Sequence, residues 1–114
     1  MCNQNLTGAD LFGRNLSRAK LRNADMSFAD LLAANLSYAD LKDANLFKAH
    51  LHYANLSEAI MRATNMSGVD LRGANLRGAD LTGADLTGAN LSAANLRDVD
   101  MRHANLMGVK NLHY

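Results

Sequence analysis

Four histidines and one cysteine are the first residues of this chain to consider as transition-metal ligands, bases or nucleophiles. His50 and His52 lie two residues apart, and no third ligand for this pair is apparent in the sequence. His103 and His113 fall on distant parts of the chain, and Cys2 has no identifiable base. We therefore expect no metal site, no catalytic residue, no cofactor-binding residue and no cofactor.

Acid–base chemistry by paired carboxylates is equally unsupported. Eight of the ten Asp residues occupy one slot of a regular repeat, so their number reflects the repeat and not a catalytic pair. The sequence contains no GxSxG or CxxC motif and no phosphate-binding Gly-rich loop in a strand–helix context. These observations favour a protein that is not an enzyme.

Charge and hydropathy exclude further classes. The net charge of +1 argues against nucleic acid or an acidic membrane surface as a partner. No run approaches the roughly 18 apolar residues of a membrane span. The N-terminal sequence MCNQNLTGAD lacks the basic and apolar regions of a signal peptide, so we expect a cytoplasmic location.

Most of these residues lie within a five-residue sequence repeat, and the structure that this repeat forms must position them. Leu or Met occupies every fifth position from Leu6 to Leu106, 21 times, and we label this position i. Ala stands at i−2 in 16 of the 21 units, Asn or Asp stands at i−1 in 18, and all eight Gly residues fall at i+2. The unit reads A-[N/D]-L-x-x.

A period of five fits neither regular element. On an α-helix the Leu residues would scatter around the axis, and on a flat strand they would alternate between faces. The pattern keeps Leu on one side only if the chain turns a corner once per unit, with Leu and the preceding Ala inward. Gly at i+2 suits such a corner, since some tight turns need a positive φ there. The sequence therefore predicts a solenoid of short β segments.

The segments ADLFG, ANLSY, ADLKD and GANLRGADLTGADLTGANLSAANL resemble the pentapeptide repeat family, and the resemblance extends over residues 4–108. It implies an all-β fold, a right-handed quadrilateral parallel β-helix of about five coils with four pentapeptides, or 20 residues, in each. We treat residues 1–114 as a single domain with short ends at 1–3 and 109–114.

Residues that are 20 apart should then stack. An unbroken Asn column is predicted to form an amide ladder between coils (Asn15, Asn35, Asn55, Asn75 and Asn95). A basic column that includes Arg22, Arg62 and Arg102 is expected to pair with Asp in neighbouring outward slots. Arg14 occupies an Ala slot, so we expect the first coil to be open there.

Outward aromatic and aliphatic residues concentrate in the first half of the chain. They define a candidate interaction surface made of Phe12, Phe28, Leu32, Phe47 and Tyr53. The five-residue register breaks after Leu106. Leu112 and Tyr114 either fold over the last coil or form the end contact of a homodimer.

The favoured function is a bacterial structural or protein-interaction solenoid of unassigned role, with an unknown protein partner. The family resemblance implies an alternative, a DNA mimic that binds DNA gyrase or topoisomerase IV and confers quinolone resistance. The net charge of +1 disfavours that alternative. The near-consensus stretch 68–97 also admits an engineered or idealised scaffold.

Overall fold

The computed structural model describes residues 3–112 as a stack of coils built from the five-residue unit. Each unit has a turn at i+1 and i+2 and a single bridge residue at i−1, and no helix lies in this range. Parallel bridges, from Asn5↔Asp25 to Asn90↔Lys110, always join residues 20 apart. Four units therefore complete one circuit, and the β-helix is quadrilateral.

The four sides of the circuit form four faces that run along the β-helix. The first, second, third and fourth faces begin with the inward residues Leu6, Leu11, Leu16 and Leu21, and each face repeats every 20 residues. The described part of the chain measures 31 × 24 × 21 Å. It contains no helix long and apolar enough to cross a membrane.

Each corner is a β-turn closed by a backbone hydrogen bond, such as that from the Ala9 N–H to the Leu6 carbonyl at 3.0 Å. The φ angle is positive at every i+2 position from Gly8 to Gly108, whereas no i+1 residue in the described range shares this property. A negative φ followed by a positive φ is the signature of a type II turn. Thirteen of these i+2 residues are not Gly, so many corners carry the strain of a left-handed L-residue.

The core consists of the inward Leu, Met and Ala residues, and through the middle coils they are almost completely buried. Met26, Met61 and Met66 are wholly inaccessible, as expected for residues that replace Leu in the repeat. Thr64 stands in an Ala slot and is also buried. Its hydroxyl donates a 2.8 Å hydrogen bond to the Met61 carbonyl, which satisfies the buried polar atom.

The Asn column acts differently from the predicted ladder. Each of its five members accepts a hydrogen bond at Oδ1 from the backbone N–H two residues ahead, as Asn35 does from Ser37 at 3.0 Å. One hydrogen bond joins side-chain amides of this column on adjacent coils, from Asn95 Nδ2 to Asn75 Oδ1 at 3.4 Å. The local bond dominates because it joins groups only two residues apart and therefore orders fewer groups than a bond between coils.

Arg14 is exposed, as the opening of the first coil predicts. Ala9 and Ala19, which flank it in the inward slots, are only half-buried. A charged side chain is therefore accommodated in this slot without burial of the guanidinium.

Candidate functional site

The first face carries a pair of aromatic rings on adjacent coils. Phe28 and Phe47 meet edge to face, with ring centroids 5.6 Å apart and ring planes at 88°. Phe28 is 54% exposed, whereas Phe47 is half-buried. The Lys48 ammonium lies 5.4 Å from the Phe47 centroid, so a cation borders the pair. We call Phe28 and Phe47 the aromatic patch.

The second face holds the other three residues of the predicted interaction surface. Phe12 is 60% exposed and Leu32 is half-buried, and the Gly13 N–H donates to the Leu32 carbonyl at 2.9 Å, which places the two residues on adjacent coils. Tyr53 is 68% exposed, and its ring contacts His52 with centroids 5.9 Å apart. The five predicted residues are thus divided between two neighbouring faces.

A further exposed aromatic residue lies on the third face. Tyr38 is 53% exposed, and the Arg18 guanidinium lies 4.7 Å from its ring centroid. The two residues are 20 apart, so stacking of equivalent corners brings them together. The 20-residue period of the sequence was therefore enough to predict that Arg18 and Tyr38 are neighbours.

The basic column of the fourth face is paired with acidic residues. Arg22 Nε lies 2.6 Å from Asp40 Oδ2, and Arg62 Nε lies 3.7 Å from Asp80 Oδ2. On the last coil, the Arg102 guanidinium lies 2.7 Å from Asp100.

The hydrogen bond from Arg102 lowers the pKa of the Asp100 carboxyl to about 2. The expectation that Asp side chains balance this column is confirmed, and the face presents mixed charge.

The histidine pair has a neighbour that the sequence did not reveal. Ligand atoms of His50, His52 and Asp70 all lie within 4.8 Å of one another. Asp70 forms a bridge with His50, because the two residues are 20 apart on consecutive coils. A third candidate ligand that was not apparent in the sequence therefore lies beside the pair, and the 20-residue period was the signal that could have found Asp70.

The candidate end contact is described only in part. Leu112 is half-buried and packs against the core, in agreement with folding of the tail over the last coil. Asn111, which stands where Leu is due, donates from its amide to the Ser92 hydroxyl at 2.6 Å. Tyr114 lies outside the described residues.

A quadrilateral β-helix with turns every five residues and surface side chains in register defines a solenoid protein. The family model for pentapeptide repeats matches this chain over residues 5–43, 15–52, 39–78 and 74–110. The chain belongs to the pentapeptide repeat family, whose members form right-handed quadrilateral β-helices, and the predicted fold class is confirmed at that level.

Solved structures of other members are similar over most of the chain. The pentapeptide repeat protein Rfr23 from the cyanobacterium Cyanothece 51142 is 27% identical, with a TM-score of 0.90 over 96% of this chain and 86% of that one. A pentapeptide repeat protein from the Arabidopsis thaliana thylakoid lumen is 33% identical, with a TM-score of 0.69 over 84% and 70%.

QnrB1, a plasmid-mediated fluoroquinolone resistance protein, is 22% identical, with a TM-score of 0.62 over 97% of this chain and 74% of that one. At this identity the likeness concerns the fold alone. No sequence among the curated proteins matches the chain.

Proposed function

We propose that this chain is a non-enzymatic protein-interaction module, a solenoid of about five coils whose aromatic patch binds a partner protein. The observation that carries the proposal is the edge-to-face contact of Phe28 and Phe47, with Phe28 more than half exposed. An aromatic pair held by the backbone offers a partner a large apolar area at little cost in side-chain entropy.

The rest of the first face supports this assignment by contrast. Four of its other i+1 residues are small and polar (Thr7, Ser27, Ser67 and Thr87), whereas Met107, far from the patch on the last coil, is 72% exposed. The Ser27 hydroxyl donates a hydrogen bond to Asp25 Oδ1 at 2.8 Å, and the Ser67 hydroxyl donates one to Asn65 Oδ1 at 2.8 Å. The aromatic patch is therefore a local departure from a face that otherwise satisfies its own polar groups.

The test compares recovery of a specific partner by three immobilised variants. Phe28→Ser combined with Phe47→Ser should abolish recovery of a protein that the wild type captures and that binds again when purified. Tyr38→Ser is the matched control, since it removes an equally exposed aromatic ring from the third face. Equal loss with both variants, or no loss with the double variant, would contradict the proposal.

The DNA-mimic alternative is addressed by a gyrase supercoiling assay. The mixed charge of the fourth face, where Arg62 approaches Asp80 and Arg102 pairs with Asp100, supports the interaction module over a duplex mimic. We expect no inhibition of supercoiling at micromolar protein, and inhibition would favour the alternative.

The homodimer contact at one end and the cytoplasmic location both stay predictions. Sedimentation at high concentration tests the first, and a monomer would remove it. Packing of Leu112 against its own core supports folding of the tail within one molecule.

A further inference from the structure

The second face holds a cluster of metal-ligating side chains that the interaction surface does not use. We propose that His50, His52 and Asp70 form a binding site for a divalent transition-metal ion of the Zn²⁺ class. Their ligand atoms lie within 4.8 Å of one another, and His52 Nδ1 lies 3.6 Å from Asp70 Oδ2. The His50 and His52 ring centroids are 6.1 Å apart.

The backbone holds the three residues in this arrangement. The His50 N–H donates to the Ala29 carbonyl at 3.0 Å, and the Leu51 N–H donates to the Asp70 carbonyl at 2.8 Å. His50 and Asp70 are therefore fixed in successive rungs of one ladder, and His52 follows on the turn of the same unit. The site is preorganised by the fold, so an ion would need to order only side chains.

His52 supplies the second independent observation. Its Nδ1 atom is shielded from solvent and has no hydrogen-bond partner in the described structure. At 3.6 Å the Asp70 carboxylate is too far to satisfy it. A buried polar atom without a partner is costly, and a metal ion placed between His52 and Asp70 would give the His52 Nδ1 atom a partner.

The donor set determines the class of ion. Two imidazoles and one carboxylate are characteristic of Zn²⁺ and of neighbouring ions such as Co²⁺ and Ni²⁺, whereas Ca²⁺ and Mg²⁺ prefer oxygen ligands. Tetrahedral Zn²⁺ needs ligand atoms about 3.3 Å apart, given Zn–N and Zn–O bonds of about 2.0 to 2.1 Å. Because His50 is exposed, its side chain can rotate inward to close the remaining distance. Water would complete the coordination.

Arg72 is the competitor of the ion. Its Nη2 lies 2.7 Å from Asp70 Oδ2, and its Nε lies 2.9 Å from Asp70 Oδ1. Asp70 Oδ1 also accepts the Arg72 backbone N–H at 3.1 Å, whereas Oδ2 is held by the Arg72 side chain alone and becomes available to a metal when that side chain moves away. The Arg72 side chain is 54% exposed and can move into solvent. A bound ion would therefore share the Asp70 carboxylate with Arg72.

The experiment is a calorimetric titration of tag-free, chelator-treated full chain with ZnCl₂. We expect one Zn²⁺ per chain. His50→Ala and His52→Ala should each weaken Zn²⁺ binding about tenfold or more. Loss of a residue that only supports a metal ligand already weakens binding by about this factor, and loss of the ligand itself should cost at least as much. Arg72→Gln should tighten binding severalfold, because it frees Asp70 Oδ2.

His103→Ala is the matched control, since it removes an exposed histidine from the fourth face on a different coil. Circular dichroism and thermal unfolding without metal confirm that each variant folds. The absorption spectrum of bound Co²⁺ gives a second readout, whose visible bands should be lost in the His50→Ala/His52→Ala double variant. Absence of saturable binding, or binding unchanged in the folded double variant, would overturn the proposal.

Discussion

The ring of Tyr53 lies directly over Gly73 on the next coil, so close that a Cβ at Gly73 would come within 2.7 Å of Tyr53 Cε1. The two residues occupy equivalent corners 20 positions apart. A large i+2 side chain is thus accommodated where the following coil has Gly. The side chain that one corner can carry therefore depends on the residue at the equivalent corner of the adjacent coil.

Replacement of Gly73 should separate backbone strain from this contact. Gly83→Ala introduces a side chain at φ +70° in open space and should lower the free energy of unfolding by about 1 kcal/mol. This figure is the net effect, because Ala also lowers the entropy of the unfolded chain and so offsets part of the strain. Gly73→Ala has the same strain plus overlap with Tyr53, and should cost at least about 1 kcal/mol more. Urea unfolding measures both. In a Tyr53→Ser background the two costs should become equal, and a persistent difference would refute the contact.

The strained corners predict a stabilising substitution. Ala63 is exposed and has a φ of +57°, so Ala63→Gly should relieve strain and stabilise the protein by about 0.5 kcal/mol. Ala34→Gly, at a buried position with an ordinary φ, is the control and should destabilise by about 1 kcal/mol. Thermal and urea unfolding give the sign. Destabilisation by Ala63→Gly would count against the strain.

The Asn column predicts which substitutions are tolerated. Asn35 Oδ1 accepts hydrogen bonds from the Ser37 N–H at 3.0 Å and from its hydroxyl at 2.8 Å. Asn35→Asp keeps this acceptor and should change the free energy of unfolding by less than about 0.5 kcal/mol, whereas Asn35→Ala should cost about 1 kcal/mol. If Asp proves as harmful as Ala at neutral pH, the amide ladder would be the better description.

Acid should destabilise the fold through its carboxylates. The side-chain hydrogen bond from Arg102 lowers the pKa of Asp100 to about 2, and that from Arg72 lowers the pKa of Asp70. Because the folded pKa lies below the unfolded value, this stabilisation is fully present above about pH 4 and is lost as the pH falls toward 2. An NMR titration of the carboxyl carbons measures the pKa values. Arg102→Gln should raise the pKa of Asp100 while that of Asp70 stays constant, and an unchanged Asp100 would refute the assignment.

The inward half of the molecule was predictable because it depends only on the period. The buried state of Met26 and Met66 and the exposure of Arg14 followed from their slots in the unit. The outward half depends on which atoms meet across coils. Asn35 offers an acceptor that either its own turn or the next coil could use, and the shorter loop prevails since it orders fewer groups.

Asp70 shows the same limit for the candidate site. In the sequence it lies far from His50, and its slot is occupied by Asn or Asp in most units, so nothing marks it as a ligand. Only the stacking of consecutive coils brings it to the histidines. A search of the sequence at the period of the coil, in place of local motifs, would have found it.

The direction of the backbone hydrogen bonds makes the mechanical response of the β-helix depend on the direction in which it is pulled. Backbone bonds such as Leu31 N–H to His50 O join one coil to the next, so they run along the stack. Tension applied at the two ends would load the coils in series and open them one after another, since each coil bonds only its neighbours. Each rupture would release twenty residues of chain, roughly 70 Å of contour length. The molecule would therefore lengthen under load in equal steps.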